Sequence, residues 1–134
     1  MIHYFTNRVY NTEKEGNMNR YSQILQELIK NTGLEGASLV SADGLPISSV
    51  LKPGMEEDRI AAMSAAILSL GERVSEELAR GTLEQITIKG RNGYVILTGV
   101  GTDAVMVVLA DNNAKLGLLL MEIKKAQEKL RALF

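Results

Sequence analysis

The chain has 134 residues, a formal net charge of −1, no cysteine and no tryptophan. That length fits one domain with a substantial core, while the composition excludes disulfides, thiol catalysis and zinc–thiolate sites and gives nucleic acid nothing to bind. No apolar run is long enough for stable membrane insertion and no signal-peptide core opens the chain, so a cytoplasmic protein is expected.

Residues 1–18 place His3, Tyr4, Phe5 and Tyr10 among Asn, Thr, Glu and Lys with no helical period. A mostly disordered leader is expected there, ahead of a domain spanning 19–134. The competing expectation is that residues 2–10 lay an extended segment on a sheet edge. Met18 then offers an alternative translation start. Residues 21–32 read as a short amphipathic helix, with Ile24, Leu25, Leu28 and Ile29 on one face, Asn19 or Ser22 as cap and Gly33 ending it.

Two short strands follow at 36–41 and 45–50, joined at Ala42, Asp43 and Gly44, a hairpin signal. Pro46 lacks a backbone donor and puts the second strand at an edge. Residues 52–54 break the chain, and Glu56, Glu57 and Asp58 suit the N-terminus of a helix. That helix, 56–80, is the longest element. Ile60, Met63, Ile67, Leu70, Val74 and Leu78 form one apolar stripe at gaps of three and four. A second face carries Ala61, Ala62, Ala65, Ala66 and Ser69. The stripe is expected to bury itself on the sheet. Ala61, Ala65, Ser69, Glu72 and Glu76 lie within about 80° of one another and are expected to face a protein partner. The bland alternative is a helix buried wholly in its own domain.

Residues 83–89 alternate, with Ile86 and Ile88 on one side and Gln85, Thr87 and Lys89 on the other. Asn92 and Gly93 mark a hairpin. The runs 94–98 and 104–109 are nearly continuously apolar, as strands covered on both faces are. A last helix over 114–133 carries Leu116, Leu119, Leu120, Ile123, Leu130 and Leu133 on its stripe. Asn112 or Asn113 would cap it, and Lys124, Lys125, Lys129 and Arg131 lie towards its negative end. The expected fold is an α/β/α sandwich of three layers around a five-stranded, mostly antiparallel sheet, in the order α-β-β-α-β-β-β-α. The strands at 45–50 and 83–89 are its edges. The long helix would lie alone on one face, too narrow to cover five strands, so part of that face is left for another molecule.

No catalytic, metal or cofactor motif stands out. No glycine precedes a lysine, so there is no phosphate loop. Gly99 and Gly101 mark a turn, and His3 has no second histidine to share a metal or a triad. Asp43 and Asp103 neighbour tight turns, where Asp is common for backbone reasons. The lysine-rich end of the last helix could touch an anionic membrane, although a solvated face matched to the helix dipole is the commoner explanation.

The segments IAAMSAAILSLGERVSEEL, GASLVSADGLPIS and VMVVLADNNAKLGLLLMEIKKAQEKL, taken in order, resemble the roadblock (dynein light chain roadblock-like) family across roughly residues 20–132. LADNNAKLGLLL and the Ala-rich helix before LARGTLEQITIKG carry most of that specificity. Within the family the chain looks most like the prokaryotic MglB-type proteins. The resemblance implies a roadblock/longin-like fold and a homodimer. In that dimer the strand with Leu83, Gln85, Ile86, Thr87, Ile88 and Lys89 pairs with its copy, and the long helices pair on one face. It also implies a Ras-like small GTPase as partner, bound on the helix surface, with its GTP hydrolysis stimulated and no catalytic residue or cofactor supplied. A dimeric scaffold subunit of a larger complex is the alternative. MglB-type proteins often have longer C-terminal tails than this one.

Overall fold

The structure, a computed structural model, describes residues 6–7 and 12–134, with side chains from Asn19 onward. The elements are β1 (Thr6–Asn7), α1 (Thr12–Thr32), β2 (Gly36–Ser41), β3 (Pro46–Leu51), α2 (Glu57–Glu77), β4 (Gln85–Gly90), β5 (Gly93–Val100), β6 (Ala104–Asp111) and α3 (Leu116–Arg131). The sheet order is β1-β3-β2-β6-β5-β4, with every pairing antiparallel. The five strands β2 to β6 and three helices form the expected sandwich, with β3 and β4 outermost among the five.

The pleat sorts the core into two layers, because successive strand residues face opposite sides. Ala37, Leu39, Ile96, Val100, Ala104, Met106 and Val108 pack under Tyr21, Leu25 and Leu28 of α1 and Leu119, Ile123 and Leu130 of α3. Val40, Leu97, Val105 and Val107 form a smaller cluster with Ala61 of α2, flanked by Ile60, Ile67, Leu68, Ile86 and Val95. Strands β5 and β6 are therefore buried on both faces, which is why they read as continuous apolar runs. On the α2 side the Ser38 and Ser49 hydroxyls bond to each other at 2.8 Å, so β2 and β3 share a satisfied polar pair in a dry layer.

The element ends depart from expectation in informative ways. Helix α1 begins at Thr12, not near residue 21. Residues 12–18 show no apolar period, but a helix anchored by Tyr21, Leu25 and Leu28 can propagate backwards from that anchor. The leader is thus not devoid of structure where it is described: Thr6 and Asn7 pair with Leu51 and Val50 on the β3 edge. His3 and the other residues of 1–5 and 8–11 lie outside the described residues. Gly33 does end α1, at φ 72° with its N–H on the Ile29 carbonyl at 2.8 Å. Pro46 stands opposite Val40 where the β2–β3 register shifts, so its missing donor breaks no ladder bond. Helix α3 starts at Leu116 behind Lys115, while Asn113 donates its backbone N–H to Asp111 Oδ1 instead of capping the helix.

Helix α2 ends in a left-handed turn. Ala79 sits at φ 56°, its N–H on the Glu76 carbonyl, and Arg80 N–H reaches the Ser75 carbonyl at 2.7 Å. This is the six-to-one closure that usually has glycine at the left-handed position. Ala79→Gly is expected to stabilise the fold by about 0.5 to 1 kcal/mol, seen as a rise of a few degrees in Tm.

Candidate functional site

The side of α2 that meets the sheet is set by how closely the layers approach. A β-carbon added to Gly44, at the tip of the β2–β3 turn, would stand 3.3 Å from the Ala65 β-carbon and 3.7 Å from the Ala61 carbonyl. One added to Gly71 would stand 2.8 Å from Ile86 Cδ1. Only small residues fit at such spacings. Glu57, Ala61 and Ser64 are buried there, with Ala65, Leu68 and Gly71 partly so.

This corrects the expected orientation of the helix. Ala61 is fully buried and Ala65 half-buried, so the five residues Ala61, Ala65, Ser69, Glu72 and Glu76 do not form one outward patch. Ser69, Glu72 and Glu76 are exposed on its flank. Four of the six stripe residues point out instead, Met63 at 58%, Leu70 at 61%, Val74 at 48% and Leu78 at 63% exposed, while Ile60 and Ile67 stay partly buried against the sheet cluster. Close packing favours the smaller side chain against the sheet even though both faces are apolar.

The stripe has a direction. Gly71 faces Ile86 and Leu83, so that flank of α2 looks towards β4. At 100° per residue Ile67, Val74 and Leu78 lie within about 60° of Gly71. They overhang the β4 side of the sheet, where Ile88 is 40% exposed. Among the described residues strand β4 pairs only with β5. The two-residue turn Arg91 and Asn92 closes on the Gly90–Gly93 pair, which is of the hydrogen-bonded kind. Counting back by twos, Ile86 and Ile88 bond to β5, and the backbone groups of Gln85, Thr87 and Lys89 point to the open edge. Leu83 precedes the strand, partly buried beside Gly71. An open strand edge and an unburied apolar stripe therefore adjoin. Sequence periodicity found the edge and the stripe but placed the stripe against the sheet; the signal for their adjacency was Gly71, which leaves room for Ile86.

On the other face α3 stops short of β4. A groove of about 640 Å³ runs between them, lined by Gln85, Thr98, Lys124, Gln127 and Arg131, and bridged where Gln127 Nε2 donates to the Gly99 carbonyl at 2.5 Å. Asp43 and Asp103 are both exposed, on turns tied by the Ala42 N–H to the Asp103 carbonyl at 2.9 Å. Burial pushes the Tyr21 phenol pKa up, and its ring stacks on Phe134 at 5.5 Å. Among the described residues no group of His, Cys, Asp and Glu could hold a metal ion, and no helix is long and apolar enough to cross a membrane.

The roadblock/LC7 domain family matches residues 21–110, from the start of the α1 core face to the end of the apolar run in β6. The chain belongs to the roadblock/LC7 family. MJ1340, an uncharacterized protein of Methanocaldococcus jannaschii, is 37% identical over 112 residues, 84% of this chain and 97% of that one. The solved structure of Myxococcus xanthus MglB superposes with a TM-score of 0.83 over 86% of this chain and 94% of its own, at 24% identity. The gliding protein MglB of Thermus thermophilus gives 0.80 over 96% and 95%, at 19% identity. At these identities the MglB likenesses establish a shared fold.

Proposed function

We propose that this roadblock protein is a homodimeric regulator that engages a Ras-like small GTPase and stimulates its GTP hydrolysis. The observation that carries the dimer is the outward stripe of α2 overhanging the open β4 edge. Two β4 strands pairing antiparallel about a twofold axis would continue the sheet from one protomer into the next. The same axis sets Met63, Leu70, Val74 and Leu78 of the two α2 helices against each other. Burying such side chains is worth about 1.5–3 kcal/mol each, enough to drive association once the edge hydrogen bonds fix the register.

The resemblance to MglB-type proteins supports the GTPase as partner. The α2 helices would offer it Ser69, Glu72 and Glu76, which stay exposed on the flank away from the stripe. Phosphoryl transfer depends on positioning and charge stabilisation, so a protein without catalytic groups can accelerate it by moving the GTPase's own residues. The test is a pull-down followed by single-turnover GTP hydrolysis on the GTPase recovered. Acceleration by the wild-type protein, lost in Glu72→Lys/Glu76→Lys, is expected. Tight binding with unchanged turnover would instead make the protein a scaffold.

A further inference from the structure

The two faces of the molecule carry different charge. Exposed on or beside α2 are Glu56, Asp58, Glu72, Glu76 and Glu77 against Arg59, Arg73 and Arg80. Exposed on α3 are Lys124, Lys125, Lys129 and Arg131 against Glu128. The nearest acidic groups neutralise α3 weakly. Lys125 Nζ stands 3.8 Å from Glu122 and Lys129 Nζ 3.6 Å from Glu27, and both lysine side chains are more than half exposed. Loose surface pairs of this kind leave the ammonium groups available to another anion.

The same outward side of α3 carries two large apolar residues that the fold does not use. Leu118 and Met121 are each 59% exposed, one turn or two before the lysines. Leu119, Ile123, Ala126 and Leu130 hold the opposite side in the core. At 100° per residue Leu118, Met121, Lys125 and Glu128 lie within about 80° of one another, with Lys124 and Lys129 flanking them. A face that only had to stay solvated needs neither leucine nor methionine there. Together the two features match an interface where phosphate charge overlies hydrocarbon.

We propose that the outer face of α3 is a peripheral docking surface for an anionic lipid bilayer. Leu118 and Met121 enter the headgroup boundary, and Lys124, Lys125, Lys129 and Arg131 meet lipid phosphates. Nothing in this arrangement inserts or spans. The inference gains from the dimer proposed above without depending on it. Antiparallel pairing of two β4 strands puts the twofold axis perpendicular to the sheet, so both α3 helices fall on the same side. A single weak basic and apolar helix then acts twice on one surface, with the α2 face turned away from the lipid.

The experiment is co-sedimentation of the full chain with phosphatidylcholine vesicles, alone and mixed with phosphatidylserine, at low and physiological salt. Binding to the mixed vesicles only, weakening with salt, is expected. Lys124→Glu/Lys125→Glu should lower the partition constant by about tenfold or more. Leu118→Ser/Met121→Ser should lower it as well, with circular dichroism unchanged for both pairs. The proposal is overturned if the wild-type protein stays in the supernatant with mixed vesicles, or if either pair binds as the wild type does. It is also overturned if soluble polyglutamate captures the protein as tightly as the vesicles do, for the face would then fit an acidic protein. Light scattering on the same samples reports the dimer separately, so a monomer that still binds vesicles would sink the dimer and leave this surface standing.

Discussion

Thr87→Pro is expected to convert the proposed dimer into a folded monomer. The reasoning depends on which backbone groups of β4 are already in use. The Gly90–Gly93 pair fixes the phase of the ladder, so Ile86 N–H belongs to the β4–β5 pairing and Thr87 N–H to the open edge. Proline at position 87 removes an outward donor and places a ring where a second strand would approach. The β4–β5 bonds survive, and circular dichroism should change little. Light scattering at micromolar concentration should report half the mass of the wild-type protein. Ile86→Pro is the informative control. It cuts β4 away from β5 and removes Ile86 from the layer beneath α2, so it should lose stability as well as the dimer. A Thr87→Pro protein that remains dimeric would place the interface elsewhere, with the α2 stripe alone as the next candidate.

Much of the fold was legible because its signals are local. Hydropathy alone separates central strands from edges, since burial on one face or two leaves different periods. Pro46 marked an edge by the donor it lacks, and Asn92–Gly93 marked the hairpin. The start of α1 was not legible. Its residues 12–18 carry no apolar period, and their helical state is inherited from the anchored turns that follow. The pairing of Thr6 and Asn7 with Leu51 and Val50 was equally hidden, because two residues are too few for any pattern to show. The candidate site was half legible. Apolar stripes and open edges can be found in a sequence, but which side of a doubly apolar helix faces inward depends on the distance between layers.

That last distinction yields the sharpest test, a comparison of Ala61→Arg with Leu70→Arg. Hydrophobicity alone ranks leucine as the more buried residue and would make Leu70→Arg the damaging change. The structure reverses the order. Ala61 is fully buried among Val40, Leu97, Val105 and Val107, with its carbonyl close to the turn at Gly44. An arginine there has no space beneath the close-packed turn, and it can reach water only by lifting α2 from the sheet. A loss of more than about 4 kcal/mol is expected, seen as an unfolded or aggregated product. Leu70 is 61% exposed, so arginine there extends into solvent and the isolated protomer keeps its circular dichroism. What it loses is association, because two cations would face each other across the paired α2 helices in place of two leucines. Melting curves should therefore show collapse for Ala61→Arg and a cooperative transition for Leu70→Arg, with light scattering assigning the latter to a monomer. The opposite result, with Leu70→Arg unfolded and Ala61→Arg merely dissociated, would mean that α2 is turned by about half a rotation. The small face would then be the partner surface that its alanines first suggested.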